Sequence, residues 1–102
     1  MRAAAHHRVW FPRDGAGALT VAAGTPVRVN AMESKGYEIN IGGWTGNANL
    51  EGSVAGHGQW TVISAVNVGT GSVQGAVADQ YNWFRINVVG LGGTEPEVTV
   101  TG

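Results

Sequence analysis

Three histidines, seven carboxylates and four serines are the side chains of this 102-residue chain with the chemistry for metal binding, acid–base work or nucleophilic attack. His6 and His7 are adjacent, and on an extended backbone neighbouring side chains point to opposite sides, which makes them a poor chelating pair. His57 stands in "AGHGQ", a turn, where an imidazole is ordinarily exposed to water. With no cysteine in the chain, thiolate sites are excluded and no metal or other cofactor is expected. Ser34, Ser53, Ser64 and Ser72 lie in no G-x-S-x-G elbow. "GTGSVQG" has the glycines of a phosphate loop without its spacing, its lysine or a following helix. Of the carboxylates, Glu38 and Glu51 are the pair to weigh for glycoside hydrolysis. A chain this short leaves little room for a substrate cleft, and the expectation is a protein that is not an enzyme.

The aromatic residues hold more promise. Trp10 and Phe11 form an apolar pair near the start, Trp44 sits in the glycine turn "IGGWTGN", and Trp60 and Trp83 fall in strand-like stretches. Trp44 with Asn47 and Asn49 is the combination that would suit stacking and hydrogen bonding to a sugar. In "YNWFRINVV", residues 81–89, Phe84, Ile86 and Val88 share one face at a period of two. Tyr81, Trp83, Arg85, Asn87 and Val89 share the other. The first set reads as a core stripe. The second places Arg85 on the same side as Trp83, as an aromatic–arginine surface suited to a subunit contact. Trp60 and one of Trp83 or Phe84 are expected to fill the core.

What must position these groups is a β fold. There are 14 Val against 3 Leu, one Lys and 17 Gly, so β-branched residues suited to a pleated surface dominate and helix formers are scarce. Leu, Ile, Val and Phe total 23 residues and the net charge is −1, a composition that folds rather than remaining disordered. Near-neutral charge argues against a nucleic-acid backbone partner. No span approaches 18 apolar residues and the start lacks an apolar leader, so neither a membrane anchor nor a secretory signal is expected and cytoplasmic synthesis is the default.

Strands are expected near 8–13, 18–22, 26–32, 37–41, 47–54, 59–66, 81–89 and 97–101, with 73–77 ambiguous and "ESKG" at 33–36 a turn. "GLGGTEPE" reads as a hairpin connection between the last two strands. Eight or nine short antiparallel strands separated by frequent turns define an all-β chain, a single β-sandwich or jelly-roll-like domain. The domain is expected over residues 14–102, preceded by an extended N-terminal arm at 1–13 that is separable from the fold.

The C-terminal part, "GQWTVISAV" followed by "DQYNWFRINVVGLGGTEPEVTVTG", resembles a pattern in small virion structural proteins of tailed bacteriophages. There a G-x-W strand precedes an aromatic–aromatic–Arg strand, a glycine turn and a final V-T-V-x-G strand. The resemblance spans about residues 58–102, under half of the chain. It implies a non-enzymatic particle component, a head decoration (cement) protein or a fibre, neck or tail-associated one. It also implies a homo-oligomer, often a trimer, whose arm contacts the major capsid protein or another virion protein. On that view Trp10, Phe11, Trp83 and Arg85 are the partner-facing residues and the location is the virion. A carbohydrate-binding module built on Trp44, Asn47 and Asn49 is the alternative.

Overall fold

The computed structural model describes residues 6–29, 35–78 and 80–101. The expected strand beyond Val29, the first residues of the "ESKG" turn and positions 1–5 of the arm lie outside the described residues. The chain is all-β, a sandwich of two antiparallel four-stranded sheets, and the described residues include no helix. In chain order the strands are β1 (His6–Arg8), β2 (Val27–Arg28), β3 (Lys35–Asn40), β4 (Asn47–Ser53), β5 (Thr61–Asn67), β6 (Val73–Val77), β7 (Trp83–Gly90) and β8 (Glu97–Thr101). The first sheet runs β1-β8-β3-β6 and the second β2-β7-β4-β5.

Alternation writes the core. Ile39 of β3 and Val98 and Val100 of β8 point inward from the first sheet. Ala48 and Leu50 of β4 and Phe84, Ile86 and Val88 of β7 point inward from the second. All are buried in one apolar cluster, which removes them from water at roughly 25 cal/mol per Å² of apolar surface. Their strand neighbours Glu38, Asn49, Arg85 and Asn87 take the outward phase, as period two requires.

Several expectations are revised. Residues 6–13 belong to the sandwich rather than to a separable arm. β1 pairs with β8 in the register His6↔Thr101 to Arg8↔Thr99, the Val9 amide donates to the Val98 carbonyl at 2.8 Å, and Val9 and Phe11 are core residues. Residues 18–22 do not form a strand. The chain there makes only isolated bridges, Arg13↔Leu19 and then Ala23↔Asn87, as it crosses between sheets. The segment between β7 and β8 is no hairpin, because the two strands lie in different sheets. At this crossing Gly93 takes φ +74° and bridges to Trp44, and a side chain on it would collide with the Gly43 carbonyl. β8 is an interior strand, lying between β1 and β3.

The long edges are β5 and β6, and neither contains a charged residue or a proline. β5 does carry an irregularity: Leu50 faces Ser64 and Glu51 faces Val62, leaving Ile63 as an extra residue. Such a bulge twists an edge and weakens it as a pairing template.

Candidate partner-binding surface

The outward side of the second sheet is where the aromatic–arginine stretch of β7 lies. Directly opposed residues set its geometry. Glu51 of β4 faces Arg85 of β7, Asn49 faces Asn87, and Arg28 of β2 faces Trp83. Arg85 Nε donates to Glu51 Oε1 at 2.7 Å, and Asn87 Nδ2 donates to Glu51 Oε2 at 3.3 Å. Both carboxylate oxygens are thereby satisfied, and the Glu51 side chain keeps only 9% of its exposure although it faces away from the core.

Arg85 is stacked, but on Trp60 rather than Trp83. Its guanidinium carbon lies 4.2 Å from the Trp60 ring centre, while Trp83 is approached by Arg28 at 6.0 Å. The reason is register. Same-face neighbours on one strand are two residues apart, whereas directly opposed residues on paired strands approach to about 5 Å. Glu51 therefore draws Arg85 across β4 toward β5, and Trp83 is left to its own opposite number, Arg28. Trp60 accordingly serves as the cover of an ion pair and not as a core residue. The core tryptophan is Trp44.

Trp44 is fully buried, its indole N–H donates to the Val66 carbonyl at 3.1 Å, and Phe11 meets it edge-on at 5.4 Å between ring centres. This removes Trp44 as a platform for sugars and Phe11 as a partner-facing residue; the two pack against each other. Asn47 stays exposed and Asn49 half-buried on β4, while the Trp44 ring expected to stack a sugar beside them is buried. A hint lay in the flanking glycines: a side chain at Gly46 would overlap the Trp44 ring, so "GGWTG" clears space for an indole folding inward.

Trp10 is the exposed member of its pair, 52% accessible while Val9 and Phe11 on either side are buried. An arginine held by two carboxylates stacks against it. The Arg8 guanidinium lies 4.6 Å from its ring centre, and Arg8 pairs with Glu95 at 3.0 Å and with Glu97 at 3.9 Å. Arg13 pairs with the other Glu95 oxygen, so one carboxylate ties two arginines of the N-terminal segment to the approach to β8. Sequence reasoning missed Glu95 and Arg8 here; they are distant in the chain and meet only because β1 pairs with β8.

Glu38 and Glu51 do not form a carboxylate pair. Glu38 is on the outside of the first sheet and Glu51 on the outside of the second, with the core between them. Among the described residues no group of three or more His, Cys, Asp or Glu side chains is gathered to hold a metal ion, and no helix is long and apolar enough to cross a membrane.

Comparison with known proteins returned no matching family model, no matching curated protein and no matching solved structure.

Proposed function

We propose that the chain is a non-enzymatic structural protein of a tailed-bacteriophage virion, a decoration protein bound to the head shell. It would be made in the bacterial cytoplasm and assemble with itself, as a trimer or related homo-oligomer, and with the major capsid protein. The observation that carries this reading is the presentation of Trp10. A half-exposed indole is fixed by a stacked arginine and a shared carboxylate on a segment that is itself clamped into a sheet. Tryptophan and arginine dominate the energetics of protein interfaces, and side chains already held in place lose less freedom on binding. The second patch, Arg85 with Trp60 and Trp83 with Arg28, offers the same pairing on the other sheet and suits a contact between copies. Further support comes from the resemblance of residues 58–102, which form β5, β6, β7 and β8. Nucleic acid and membrane are not among the proposed partners.

The test is quantitative mass spectrometry of purified particles from a strain that encodes the chain. A copy number commensurate with the shell subunits is expected. Few copies per particle would move the protein to the neck, tail or a fibre, and its absence from particles would overturn the proposal.

A further inference from the structure

At one end of the second sheet two stretches meet: residues 54–60, which join β4 to β5, and residues 80–82, which precede β7. We propose that the groove between them binds a short, uncharged carbohydrate. Its volume of about 460 Å³ lies within the range of small-molecule sites. Ser53, His57, Gln59, Thr61, Gln80 and Tyr81 supply its polar groups, and among the described residues none that lines it is Asp, Glu, Lys or Arg.

The groove is held open by backbone bonds rather than by chance loop placement. The Asn82 amide donates to the Ser53 carbonyl at 3.1 Å, joining the two loops, and the Gln59 amide donates to the His57 carbonyl at 3.1 Å. The Gly56 amide donates to Ser53 Oγ at 3.0 Å. Gly56 has φ +83°, and a side chain there would run into the Trp83 ring, so the indole lies directly against the loop backbone. Tyr81 is set in the same way: its ring crosses Gly52 so closely that a Cβ on the glycine would come 3.1 Å from Tyr81 Cγ.

Ser53 is the informative residue. It is only 2% exposed yet borders the groove. Its oxygen accepts the Gly56 amide, and that bond leaves the hydroxyl proton for an oxygen arriving from the groove. Around it, two carboxamides offer paired donor and acceptor atoms, which is how vicinal sugar hydroxyls are met. Tyr81 supplies a flat ring for the apolar face of a pyranose. With no cationic side chain among the described lining residues, sulfated, phosphorylated or carboxylated ligands find no counter-ion there. A peptide is disfavoured because Val54, the largest aliphatic residue of the lining, is 57% exposed and forms no socket.

This site lies at the Ser53 end of β4, six residues from Asn47 along the strand, or roughly 20 Å at strand rise. It shares none of the residues by which the chain would bind a capsid, and purified protein suffices to test it. Printed arrays of neutral glucans, galactans and N-acetylhexosamine oligomers, with sulfated and sialylated counterparts, are probed with the native chain, with Trp10→Ala and with Gln59→Ala/Gln80→Ala. Gln59 and Gln80 are exposed, where substitutions change stability little, so the double variant reports on binding. The expected result is retention of one neutral class, unchanged in Trp10→Ala and weakened at least about tenfold in the double variant. Retention of no glycan, retention confined to the charged members, or a smaller loss in the double variant would overturn the proposal.

Discussion

Arg85 and Glu51 face each other across the β4–β7 ladder and close a 2.7 Å ion pair on the outside of a sheet, under the cover of Trp60. Neither side chain is free in water: Glu51 retains 9% and Arg85 23% of its exposure. The pair therefore behaves less like a solvated surface bridge and more like a partly desolvated one, where loss of a single partner leaves the other charge poorly compensated.

Glu51→Ala is expected to cost about 1–3 kcal/mol of stability, since it strands both Arg85 and the Asn87 amide. Urea unfolding of Glu51→Ala, Arg85→Ala and the double variant should show the double losing less than the sum of the singles. Strict additivity would mean that the two side chains do not act on each other.

Removal of residues 1–13 is expected to unfold the protein instead of merely releasing it from a partner. It deletes β1 and takes Val9 and Phe11 out of the core. Losing a buried phenylalanine alone costs about 3–5 kcal/mol, a large part of the roughly 5–15 kcal/mol that holds a domain together. Circular dichroism during thermal unfolding should lose its cooperative transition.

Trp44→Ala should be among the most damaging single substitutions, at about 3–5 kcal/mol. It empties the space behind Phe11 and leaves the Val66 carbonyl without the indole donor. In the folded protein Trp44 fluorescence should resist quenching by iodide while Trp10 is quenched, which single-tryptophan variants can separate.

Trp10→Ala is expected to change stability by less than about 1 kcal/mol, because the indole is half in water. Its occupancy on purified particles should nevertheless fall well below that of the native chain. Equal occupancy would remove Trp10 from the interface.

The strands that alternate cleanly were legible from the residues alone. Phe84, Ile86 and Val88 point inward, as period two required, with Arg85 and Asn87 between them. The Tyr37–Ile41 alternation likewise falls on β3 and its continuation. What the sequence left hidden depends on pairings between distant segments. Nothing local marks the segment around Leu19 as a crossing between sheets, and its apolar residues have strand propensity without a strand partner. Between Trp10 and Trp44 the local difference is the glycines beside Trp44; the rest comes from pairing, since one follows a strand that pairs with β8 and the other folds from a turn into the space between sheets. The stacking of Arg85 was visible in kind but misassigned in partner, because the residue that steers it, Glu51, lies 34 positions away.

The pairing of β1 with β8 also orders events during synthesis. Among the described residues, His6–Arg8 pairs only with residues 99–101, which leave the ribosome more than 90 residues later. Until then the Val9 amide has no Val98 carbonyl to bind. Closure of the first sheet is thus a late, non-local step of the kind that slows folding.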